Sequence, residues 1–137
     1  MLSYAAILDA IGLYLEYRQA TDALINEIDG GFMVGFMIGN EQRLVTLSTA
    51  ELTPLHAEAV RHPVKRKPPG PAERLPLRTR LLYLGRYLDR TATGAVVAQE
   101  RASGFTVEYT AALLSGTRDG LGRLVETLDD AQLGALA

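Results

Sequence analysis

The chain has no cysteine, only two histidines and two lysines, and no run of eighteen uncharged apolar residues. Without cysteine there is no disulfide framework, no thiolate nucleophile and no thiolate-ligated zinc. The histidines, His56 and His62, are six residues apart, which on a helix leaves them about 120° from superposition, unlike the i, i+4 pair of a helical zinc site. No long apolar run means no helix built to span a bilayer. The opening MLSYAAILDAIG lacks the basic region and cleavage site of a secretory signal, so the expected location is cytoplasmic. Ser3, Ser48, Ser103 and Ser115 lie outside any nucleophile elbow and read as caps and turns. Neither DGGFMVG nor SGTRDGLGR has Walker or dinucleotide-loop spacing. The sequence therefore predicts no catalytic residue, no metal and no cofactor.

What is present is an ordinary globular composition, 47% apolar and 22% charged, over 137 residues. That length suits one domain able to bury a core without a staple. The net charge of −2 conceals an asymmetry: residues 61–80 hold seven basic groups and one acid, and the rest of the chain is strongly acidic. Five of the six prolines lie in 61–76, RHPVKRKPPGPAERLP, which has neither helical nor strand periodicity. This segment reads as an exposed basic linker between a first unit, residues 1–60, and a second, residues 77–137.

In the first unit, Tyr4, Ile7, Leu8, Ile11 and Leu15 predict an amphipathic helix over 3–19 with Asp9, Glu16 and Arg18 towards water. ALINEI and FMVGFMI flank Asp29-Gly30-Gly31, a tight hairpin signal, and RLVTLS predicts a third strand. Ser48 or Thr53 then caps a short helix over 54–61. After the linker the order recurs, with a helix over LRTRLLYLGRYLDR, a strand over GAVVAQER, a turn, and a strand over FTVEYTA. A shift of 73 residues superposes 8–37 on 81–110 without a gap and with eight identities, among them Gly12/Gly85, Tyr14/Tyr87, Glu27/Glu100 and Phe32/Phe105. The third element matches only at a shift of 80, and Leu121, Leu124, Val125 and Leu128 leave strand and helix both open there. The predicted class is α+β: a tandem duplication of a helix, hairpin, strand and helix unit, forming one antiparallel sheet with helices mainly on one face.

Three features bear on function. If FMVGFMI is a strand, Phe32, Val34 and Phe36 face the core, while Met33, Gly35, Met37 and Gly39 face the other way. The matching outer residues of the second unit are Thr106, Glu108 and Thr110, a solvent-type set. An adaptable Met/Gly face on one unit only points to an interface, hence a homo-oligomer, most simply a dimer, or a protein partner. The competing expectation is internal cover by the 54–61 helix or the linker. Second, Lys65, Arg66 and Lys67 offer phosphate contacts, and Ser115-Gly116-Thr117 with Arg118 offers an anion loop. No aromatic residue occurs from 61 to 82, so nucleic-acid binding is a secondary alternative. Third, Glu27 and Glu100 recur before each hairpin turn and are expected to face solvent beside a cross-strand arginine. A small-molecule or enzyme site between the units, built on these acids or the Arg118 loop, is the remaining alternative.

Overall fold

The computed structural model describes residues 2–64, 75–112 and 121–135. Helix α1 (Tyr4–Tyr17) leads into strands β1 (Thr21–Ile28), β2 (Gly31–Ile38) and β3 (Glu41–Ser48), then helix α2 (Thr49–Arg61). Helix α3 (Leu77–Thr91), strands β4 (Gly94–Arg101), β5 (Gly104–Ala112) and β6 (Leu121–Asp129), and a short helix α4 (Asp130–Ala135) repeat that order. All six strands form one antiparallel sheet, ordered β3-β2-β1-β4-β5-β6. The α+β class and the single sheet are as the sequence predicts.

Local chemistry explains the boundaries. Ser3 caps α1 by accepting from the Ala6 N–H. Gly30, at φ +78°, takes the left-handed corner of the β1–β2 turn that a side chain resists. Ser48 rather than Thr53 starts the helix after β3, through a capping box with Glu51, so α2 is longer than expected and holds Pro54 inside it. Asp129 and Gln132 form the same reciprocal box at the start of α4. The third element of the second unit is a strand, paired with β5 along its whole length.

The sheet is twofold about the central β1–β4 pair, where Ile25 lies opposite Ala98. The shift of 73 maps every β1–β2 pair onto a β4–β5 pair, from Leu24↔Gly35 onto Val97↔Glu108 to Ile28↔Gly31 onto Arg101↔Gly104. It also maps the bulge in β1 onto that in β4, with Asp22 and Ala95 both at φ +54°. For the third strands the shift is 81, not 80, because Gly31 faces Ser48 and Gly104 faces Asp129. The helices obey the same relation: a Cβ on Gly12 would lie 2.8 Å from Arg78 Cα, and one on Gly85 would lie 2.6 Å from Ala5 Cα. Each glycine lets the α1 and α3 backbones touch.

The core lies between the sheet and the helices. Leu8, Ile11 and Leu15 of α1 and Leu81, Leu84 and Leu88 of α3 pack on Ile25, Val34, Phe105 and Val107, with Leu52 and Leu133 closing the two ends. Arg78 ties three helices together: its Nε donates to Asp9 Oδ1 at 2.7 Å and its Nη2 to the Ala59 carbonyl at 3.1 Å. Asp9 therefore does not point into water as expected but partners a cation that is 6% exposed.

Candidate functional site: the open sheet face and the carboxylates beneath it

Because side chains alternate along a strand, each strand divides its residues between the face that meets the helices and the opposite face. On β2, Phe32, Val34 and Phe36 point to the helices, and Met33, Gly35 and Met37 point away, as predicted. Gly39 is not on that face. It stands at φ +59° in the β2–β3 turn, because the strand ends at Ile38. Pairing adds residues that a single strand could not reveal: Gly35 lies between Leu24 of β1 and Leu44 of β3, and a Cβ there would meet Leu44 Cδ1 at 3.7 Å and Leu24 Cβ at 3.8 Å. Leu44 is 66% exposed and Leu24 39%. Helix α2 does not cover this patch: its buried Leu52 belongs to the core on the opposite face, and it packs on α1.

The corresponding face of the second unit is mostly polar. Arg123 Nε donates to Glu108 at 3.1 Å across β5 and β6, and Arg101 Nε donates to the Thr106 hydroxyl at 3.1 Å. Val125, the counterpart of Leu44, is its one large exposed apolar side chain among the described residues.

The basic segment is divided. Lys65, Arg66, Lys67 and Arg118 lie outside the described residues. Arg78 and Arg80 are committed to the interior, with Arg80 Nη2 donating to Glu100 at 2.9 Å. Two of the seven cations counted in that stretch are thus internally neutralised. His62 caps α2 and lies 3.2 Å from Glu58, and the described residues contain no group of three metal-ligating side chains. No described helix is long and apolar enough to cross a membrane.

Glu27 and Glu100 point inward, contrary to the expected solvent orientation. Glu27 Oε1 accepts the Val96 N–H, and Glu100 Oε1 accepts the Ala23 N–H, each at 3.1 Å. These amides lie within the two bulges, just outside the β1–β4 ladder, so each carboxylate satisfies a donor that the sheet leaves over. Glu27 Oε1 also accepts the Tyr4 hydroxyl at 2.8 Å. Burial first, then this hydrogen bond and the charges of Glu27 and Asp89, raise the Tyr4 phenol well above its ordinary pKa. A second phenol–carboxylate group sits in the other unit, where Tyr87 and Tyr109 both donate to Glu126 Oε2, at 2.6 and 2.8 Å. Burial, then the Glu126 hydrogen bond, raises Tyr87 likewise. Sequence reading missed both clusters, since their members are far apart in the chain. No family model, curated protein or solved structure matches the chain.

Proposed function

We propose that this protein is a non-catalytic interaction module that self-associates face to face through the open side of β1, β2 and β3. The observation that carries the reading is the apolar patch of exposed Leu24 and Leu44 and half-buried Met33 and Met37 around Gly35, on a sheet whose described helices all pack on the other side. The favoured occupant is a second copy. Three strands about 4.8 Å apart and about 26 Å long present roughly 370 Å² in projection, and the adjoining face of β4, β5 and β6 brings the sheet to roughly 700 Å², close to the ~800 Å² each partner buries in a standard interface. The polar β5–β6 side would then border the apolar patch on one flank.

Replacing Met33 and Met37 with threonine, the residue type at the matching positions 106 and 110, together with Leu44→Glu, tests the reading. Light scattering should give a dimer mass for the parent and a monomer mass for the variant, with unchanged circular dichroism. A parent that is monomeric at about 100 μM, a concentration far above the Kd of a standard-size interface, overturns the proposal. So does a folded variant that keeps the dimer mass.

A further inference from the structure

The two units differ sharply at one pair of symmetry-related places beneath the sheet. In the second unit the Arg80 side chain fills the space beside Glu100. Its Nη2 donates to Glu100 Oε2 at 2.9 Å, its guanidinium carbon lies 5.6 Å from the centre of the Phe105 ring, and its Nη1 lies 4.0 Å from Asp130 Oδ1. The residues matching Arg80, Glu100, Phe105 and Asp130 in the first unit are Ile7, Glu27, Phe32 and Thr49. Carboxylate and ring are retained, but the cation is replaced by a short apolar side chain.

What remains there is a cleft of about 560 Å³, with Ile7, Glu27, Phe32 and Thr49 in its walls. Two carboxylates, Glu27 and Asp89, line it, and among the described residues no lysine, arginine or histidine does. Asp89 is held in place by the Tyr4 and Ala5 N–H groups, at 2.7 and 3.1 Å. Glu27 spends its Oε1 on Val96 and Tyr4. No described donor reaches its Oε2, the atom whose counterpart in Glu100 holds Arg80. Tyr4 holds its proton, so its hydroxyl remains a donor to Oε1, and Glu27, one of the cleft's lining residues, keeps Oε2 without a described donor. A partly buried carboxylate beside an aromatic face favours a planar cation with several N–H donors over a compact hydrated one. Leu2, Ile7 and Ile28 supply an apolar wall for the stem carrying it.

We propose that this cleft binds a guanidinium group on a short apolar stem, seated against Glu27 and Phe32 as Arg80 is seated against Glu100 and Phe105. The group can belong to a free guanidino compound or to an arginine side chain of a peptide. Titration calorimetry of the full chain with N-butylguanidine, and separately with the capped tripeptide Gly-Arg-Gly, should give saturable one-site binding for at least one of them. Binding only by the peptide assigns the arginine source, and binding by N-butylguanidine the free compound. N-butylurea, matched in shape but neutral, should not bind. Glu27→Gln keeps an acceptor for Val96 and should weaken binding about tenfold or more, as expected for removing a charge-assisted hydrogen bond. Ile7→Arg should abolish binding by installing the second unit's own occupant, while circular dichroism shows the fold intact. The proposal fails if neither probe binds saturably up to about 10 mM, well beyond the millimolar range of weak specific binding. It also fails if folded Glu27→Gln and Ile7→Arg proteins bind like the parent, or if butylurea binds equally.

Discussion

Glu27 reaches from β1 to accept the Val96 N–H of β4 at 3.1 Å, and its symmetry mate Glu100 reaches back from β4 to the Ala23 N–H of β1 at the same distance. The two carboxylates clasp the seam between the units on either side of the Ile25–Ala98 axis. Their surroundings predict unequal costs. Glu27→Ala leaves the Val96 amide and the Tyr4 hydroxyl without their acceptor and should cost about 1–3 kcal/mol. Glu100→Ala also strips Arg80, 4% exposed, of its main counter-ion, and should cost about 3–5 kcal/mol. Urea denaturation of the two variants checks this, and equal losses would show that the Arg80 pair contributes little.

The glycine contacts make a second asymmetric prediction. Alanine ordinarily stabilises a helix interior by about 1 kcal/mol relative to glycine. At Gly85 the added Cβ would lie 2.6–2.8 Å from three backbone atoms of Tyr4 and Ala5, which cannot yield without separating α1 from α3. At Gly12 two of the three nearest atoms belong to the Arg78 side chain. Gly85→Ala should therefore lower stability by about 1–3 kcal/mol, the usual range for overpacking, and Gly12→Ala by less. Thermal melts of both proteins decide the order.

Alkaline stability should report the two phenol–carboxylate clusters. Tyr4 and Tyr87 are both raised above the ordinary value of 10.0, so the folded state holds their protons more tightly than the unfolded state. The resulting stabilisation is complete below pH 10 and declines as pH rises above it, because the unfolded chain ionises first. Tyr4→Phe and Tyr87→Phe should each flatten the fall in unfolding free energy above pH 10. An unchanged slope in the double variant would contradict the assignment.

At Glu126 the two units hold alternative solutions to the same packing problem. Tyr87, Tyr109 and Glu126 correspond to Tyr14, Phe36 and Val45, and Tyr14 meets Phe36 edge to face with ring centres 6.1 Å apart. Glu126→Val takes the shared acceptor from the Tyr87 and Tyr109 hydroxyls, Tyr109 being a side chain only 1% exposed, and should cost about 1–3 kcal/mol. Adding Tyr109→Phe removes the more buried of the two orphaned hydroxyls, so the double variant should be more stable than Glu126→Val. A double-mutant cycle with additive losses would count against coupling through this hydrogen bond.

The local features of this fold were legible because their causes are local. Hairpin glycines, capping serines and alternating strand patterns act within a few residues, and the 73-residue shift carried one half's reading onto the other. Period failed at β6, where Leu121, Leu124, Val125 and Leu128 satisfy helical spacing as well as one face of a strand can. There the open edge of β5 decides, since its N–H and C=O groups need a partner and β6 supplies one along its whole length. The same limit applied to charge. Composition could count Arg78 and Arg80 into a basic stretch, but only packing brings Asp9 and Glu100 to them from 69 and 20 residues away.

From sequence alone came the α+β class, the first five strands, the inward and outward residues of β2, and the contrast between its Met/Gly face and the Thr/Glu face of β5. Tertiary structure alone decided that α2 leaves that face open and that Leu24 and Leu44 complete it. It also turned Glu27 and Glu100 inward to the bulge amides, and left beside Glu27 the cleft that Arg80 fills beside Glu100. Each depends on which side chains strand pairing and helix packing bring together, a relation that no local pattern encodes.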